Sequence, residues 1–161
     1  MSLLRDLAPR ARFFLLLALG IICIPAAGAG TALIDDSGSQ AMEPAVSVRW
    51  KNTVPLRGGD NTQMTGSTLV RVRLNVMPWL QHAGRIYLVL PTQPPGPMTL
   101  SWTTQGGLQS GRIRSGDRML VYAGPITTPF LEDVVNFQFA MDGAIMRQSY
   151  PVTFHFEMEE N

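Results

Sequence analysis

The chain has 161 residues, with 13 Lys and Arg against 12 Asp and Glu, 45% apolar side chains and one cysteine. A charge this balanced gives no basis for a nucleic-acid or anionic-membrane partner, and one cysteine supports neither an internal disulfide nor a thiolate metal centre. Low charge with dispersed Gly and Pro argues against disorder and for a β-rich globular chain.

The first 29 residues read as a signal peptide. Arg5, Arg10 and Arg12 form a positive start, residues 13–24 (FFLLLALGIICI) are apolar, Pro25 interrupts them, and small residues follow. The apolar run is about a dozen residues, short of the roughly 20 a spanning helix needs. Ala27 and Ala29 fit an A-x-A site, which predicts cleavage after Ala29, with Ala32 as the alternative. Cys23 leaves with the leader, and Ile22 before it is a poor match for lipidation. The leader takes three basic residues and one acid (Asp6), leaving ten basic and eleven acidic, a net charge of −1. Lys51 is the single lysine. The remainder, about 130 residues, suffices for one core.

Residues 30–44 (GTALIDDSGSQAMEP) are small, polar and aperiodic, which predicts a flexible arm before a single domain over 45–161. From Val46 the pattern has period two. Val46, Val48, Trp50, Asn52, Val54 and Leu56 share one face, with Ser47, Arg49 and Lys51 on the other, so Val48 and Trp50 are expected to be buried. Residues 57–67 read as a turn-rich loop. Val70, Val72, Leu74 and Val76 alternate with Arg71, Arg73 and Asn75 until Pro78 ends the strand. Residues 85–90 (RIYLVL) are nearly all apolar, which suggests burial on both faces, and residues 91–97 (PTQPPGP) are a stiff connection.

Further strands are predicted over 98–103, with Met98, Leu100 and Trp102 together, over 111–114 between turn signals, and over 118–123. In residues 130–141, Val135, Phe137, Phe139 and Met141 share a face, and the start (FLEDVV) fits a short helical turn. The clearest alternation is residues 150–158 (YPVTFHFEM). Tyr150, Val152, Phe154, Phe156 and Met158 lie on one face, and Thr153, His155 and Glu157 on the other. Seven or eight short strands with frequent turns predict an immunoglobulin-like β-sandwich, with a small barrel as runner-up.

No chemistry-bearing constellation emerges. His82 sits in a predicted loop and His155 on an outward strand face, and neither has a partner at metal-ligand spacing. There is no Gly-x-Ser-x-Gly elbow. Asp35-Asp36 and Glu132-Asp133 are adjacent acids, which point opposite ways on a strand. Trp50, Trp79 and Trp102 read as core. The sequence thus predicts no catalytic residue, no metal and no cofactor.

The leader, the cystine-free small sandwich and the last strand YPVTFHFEM after a Gly-containing turn together resemble the chaperone–usher fimbrial subunits. The resemblance implies a sandwich lacking one strand, with Tyr150, Val152, Phe154, Phe156 and Met158 lining a strand-acceptor groove. It implies as partners a periplasmic chaperone, an outer-membrane usher and other fimbrial subunits, with a host receptor for an adhesive member. It also implies passage through the periplasm to the cell surface, with no nucleic acid and no membrane insertion after cleavage. Glu160 stands where many members carry a penultimate tyrosine, and no disulfide is available, which favours a minor or tip subunit. Large apolar side chains in the arm are limited to Leu33, Ile34 and Met42. The alternating segment 46–56 sits late for a donor strand and is read as the first strand of the fold. The alternative is an exported periplasmic binding or assembly factor with a complete sandwich.

Overall fold

The computed structural model describes residues 30–43, 47–52, 62–92, 96–145 and 151–160. The leader and its cleavage site lie outside them, as do Val46, Val54, Leu56 and Tyr150. Ten strands are present among the described residues. They are β1 (Thr31–Leu33), β2 (Gln40–Ala41), β3 (Ser47–Trp50), β4 (Gln63–Asn75), β5 (Ala83–Val89), β6 (Met98–Thr104), β7 (Gly111–Arg114), β8 (Arg118–Pro125), β9 (Phe130–Asp142) and β10 (His155–Glu160).

They form two antiparallel sheets, packed as a β-sandwich and not closed into a barrel. The four-stranded sheet has the order β1-β10-β5-β8, and the larger has the order β2-β4-β9-β6-β7, with β3 also on the β2 side of β4. The β3-β4-β9-β6 run and the β5-β10 pair reproduce the A-B-E-D and C-F orders of an immunoglobulin-type sandwich. β7 and β8 extend the two sheets.

The core follows from alternation. Val72 and Leu74 on β4, with Val76 just beyond it, Ile86 and Leu88 on β5, Leu100 and Trp102 on β6, and Val135, Phe137 and Phe139 on β9 are buried between the sheets. β4 and β9 pair along their whole length, from Gln63 opposite Asp142 to Asn75 opposite Phe130. β4 starts inside the predicted 57–67 loop. Gly66 interrupts the apolar pattern there because the Phe139 ring lies where its side chain would stand, within 2.2 Å of an ideal Cβ.

Four other expectations change. The start of residues 130–141 is strand, not a helical turn, because Phe130 and Leu131 pair with Asn75 and Leu74. Residues 85–90 are not buried on both faces. Ile86, Leu88 and Leu90 face the core, while Tyr87 is half-buried beneath the Arg118 guanidinium, 4.3 Å from its ring centre. Val48 and Trp50 alternate as expected but are 39% and 49% exposed, since β3 is an edge strand. The arm carries strand pairing that its aperiodic sequence did not show. β1 joins β10, Asp35 bridges to Asn75, and β2 joins β4.

Candidate functional site: the flank of the last strand

β10 carries the acceptor-groove residues predicted from sequence, and its placement decides what they can do. It is shorter than the alternation suggested, because residues 151–154 lie before the strand. Phe156 and Met158 point into the sandwich and are 2% and 0% exposed. Phe154 and Val152 are half-buried and packed on the core. Phe154 lies over Phe137, with ring centres 4.8 Å apart, and meets Phe156 edge-on at 6.1 Å. The structure therefore joins four of the five predicted residues, with Phe156 and Met158 as the deep pair.

Both edges of β10 are occupied. On one side it pairs with β5, from His155 opposite Val89 to Glu160 opposite Gly84. On the other it pairs with β1, where Thr31, Ala32 and Leu33 stand opposite Glu159, Met158 and Glu157. The Ile34 amide donates to the Phe156 carbonyl at 2.9 Å. In the immunoglobulin order the position beyond the sixth strand belongs to a seventh, C-terminal strand. Here the N-terminal arm holds it.

Ile34 anchors the arm and is 2% exposed, whereas Leu33 and Met42 are 70% and 49% exposed. After Ile34 the arm crosses to the other sheet. The Asn75 amide donates to the Asp35 carbonyl at 2.9 Å. The Asp35 side chain accepts from the Ser37 amide at 3.0 Å and fixes a turn. Hydrogen bonds from Ser37, with a smaller one from Asn75, hold the Asp35 carboxyl below its ordinary value against a raising effect of desolvation. Past that turn, the Ser39 hydroxyl accepts from the Arg73 amide at 2.9 Å.

The outward face of β10 is tied by charge. Arg118 lies 3.2 Å from Glu159 and 3.8 Å from Glu157, and Arg85 lies 3.9 Å from Glu159. His155 meets Glu157 at 3.2 Å and His82 meets Glu160 at 2.7 Å, so both histidines contact acids of this strand. Among the described residues no three His, Cys, Asp or Glu gather as a metal site.

In the sequence Asp133 stands only as one of two adjacent acids, without a role. It faces inward, is 6% exposed, and accepts the backbone N–H groups of Gln105, Gly106 and Leu108 at 3.2, 2.7 and 2.9 Å. A side chain at Gly106 would collide with it, since an ideal Cβ lies 2.9 Å from the carboxyl carbon. The carboxylate thus ties the β6–β7 turn to β9. The available signal was an acid at an inward position of a strand facing a Gly-Gly turn.

The fold defines the class of this protein as an antiparallel, immunoglobulin-type β-sandwich. Comparison with protein-family models, curated proteins and solved structures finds no match for the chain. No helix among the described residues is long and apolar enough to cross a membrane.

Proposed function

We propose that the chain is an exported structural or adhesive subunit of a bacterial surface fimbria. A periplasmic chaperone and an outer-membrane usher handle it, and a strand from another chain takes the place of β1 beside β10. The observation that supports this reading is the place of β1. The position beside β10, the sixth strand of the sandwich order, is held by a three-residue N-terminal segment. Strand addition at such an edge satisfies the backbone ladder, and alternate side chains enter the core. Without an occupant, Phe156 and Met158 would border an open apolar edge prone to aggregation.

The same pairing favours a second reading, an exported periplasmic binding or assembly factor whose sandwich is complete within one chain. One experiment separates them. A chain lacking residues 30–43 is expressed with and without a fimbrial-type periplasmic chaperone, beside the intact chain. A fimbrial subunit gives a truncated chain recovered only with the chaperone, and an intact chain that slowly forms arm-exchanged oligomers. An intact chain that stays monomeric, melts reversibly in one step and gains nothing from the chaperone supports the complete sandwich and rejects the fimbrial reading. Amino-terminal sequencing of the exported intact protein is expected to begin at Gly30. Cleavage after Ala32 instead would remove Thr31 and Ala32 from β1.

A further inference from the structure

The balanced net charge conceals an uneven distribution. Strand register fixes which side chains share the outward face of the larger sheet, because residues directly opposite in an antiparallel pair project to the same side. One row runs Arg49, Thr65, Ala140, Thr99, Arg114 across β3, β4, β9, β6 and β7. The next includes Ser67, Gln138, Ser101 and Arg112. Farther along β4 stand Arg71 and Arg73. Against these five arginines the same face carries Glu132, paired to Arg73 at 3.1 Å, Asp142, which accepts from the Ala144 amide, and Asp35, opposite Asn75 and turned to the Ser37 amide, while Asp117 lies beside Arg112 and Arg114. Arg49, Arg71, Arg112 and Arg114 are exposed and have no ion pair among the described residues.

We propose that this outward face binds an acidic polysaccharide of the polyuronate type. Arg49 and Arg114 end the same row four strands apart, roughly 19 Å at ordinary strand spacing, and Arg112 lies about 7 Å from Arg114 along β7. A small anion cannot bridge such charges, whereas a chain polymer can. Guanidinium forks match carboxylates in shape and charge. The surface between them offers hydroxyl and amide groups suited to sugar hydroxyls, in a shallow depression lined by Arg49, Thr65, Ser67, Ser101 and Gln138. No aromatic ring stands in the rows joining Arg49 to Arg114, and Phe139, which also lines the depression, is buried in the core, so the stacking platform typical of single-stranded nucleic acid is missing there. The exposed aromatic on this face, Phe130, lies at a far corner beneath Arg73, whose guanidinium is 4.1 Å from its ring centre. The inference does not depend on what occupies the edge of β10.

The test is binding of the purified intact protein to polygalacturonate at 100 mM NaCl, with neutral dextran, a single-stranded oligonucleotide and anionic phospholipid vesicles as comparators. Salt-sensitive binding to polygalacturonate, tighter than to any comparator, is expected. The double variant Arg112→Gln/Arg114→Gln should bind about tenfold more weakly with an unchanged melting temperature. Arg85→Gln removes one charge from the opposite sheet and is compared with Arg112→Gln alone; Arg118 stays intact because it lines a surface depression together with Arg112 and Arg114. That sheet lies about 10 Å away, roughly one Debye length at this salt, so the change should be less than about twofold. Equal losses in Arg112→Gln and Arg85→Gln, tighter binding to oligonucleotide or vesicles, equal binding to dextran, or no binding would overturn the proposal.

Discussion

The two seams of the sandwich differ in length and in the origin of their strands. β4 and β9 share thirteen paired residues each and place Val72, Leu74, Val135, Phe137 and Phe139 in the core. β1 and β10 share three, and the arm contributes one large buried side chain, Ile34. Stability in a protein is distributed according to buried apolar contact and protected backbone pairing. The long seam should therefore open only with the whole domain, and the short one on its own.

The harshest challenge to this comparison is Phe156→Asp, which puts a charge on the face of β10 that both seams enclose. It should cost more than about 4 kcal/mol, since an isolated carboxylate there cannot be solvated. Phe154→Asp should be milder because that side chain is half-buried, and His155→Ala on the outward face should change little. Urea melts of the three variants check the order. Equal effects of Phe156→Asp and His155→Ala would reject the register.

Asp133→Ala comes next. It leaves three backbone N–H groups without their acceptor and should lower stability by about 3 kcal/mol. Asp133→Asn, which keeps one acceptor oxygen, should fall between the two proteins in the same melts.

Ile34→Ala is the direct test of the short seam and should cost about 2 kcal/mol, the low end for such a truncation. Hydrogen exchange sharpens the point. The Ile34 amide should exchange far faster than the amides of Val72 and Phe137, and the variant should accelerate it without altering those two. Exchange of all three at one rate would mean that the arm is integral to the global unit.

The smallest effect belongs to Asp35. Its carboxyl sits below the ordinary value of 3.8 in the folded chain, so the charged form stabilises the fold. That contribution is complete above the unfolded value and disappears as pH falls through the folded one. Asp35→Asn should remove this part of the acid sensitivity, seen as a flatter dependence of melting temperature on pH below about 4.

Much of the sandwich was legible because period-two alternation records burial directly, as in residues 70–76, 98–103 and 135–141. Three features were not. Residues 30–34 carry too few apolar side chains to show a period, yet backbone pairing and one isoleucine place them in the sheet. Val48 and Trp50 have the right alternation, but period alone does not reveal whether the opposite sheet extends far enough to cover them. The arginine face depends on how strands from distant parts of the sequence are ordered. The β10 residues were identified by alternation, whereas the arm as their neighbour could be found only from topology.

The order of strands along the chain also bears on when this domain can fold. β10 follows the nine other described strands in sequence, yet it lies second in its sheet, with β1 on one flank and β5 on the other. A polypeptide delivered N-terminus first presents β1 and β5 long before their common partner exists. Until β10 emerges, those two strands have no direct route to each other, and the space for Phe156 and Met158 stays vacant. Closure of the smaller sheet is thus a late event in synthesis, governed by the arrival of β10.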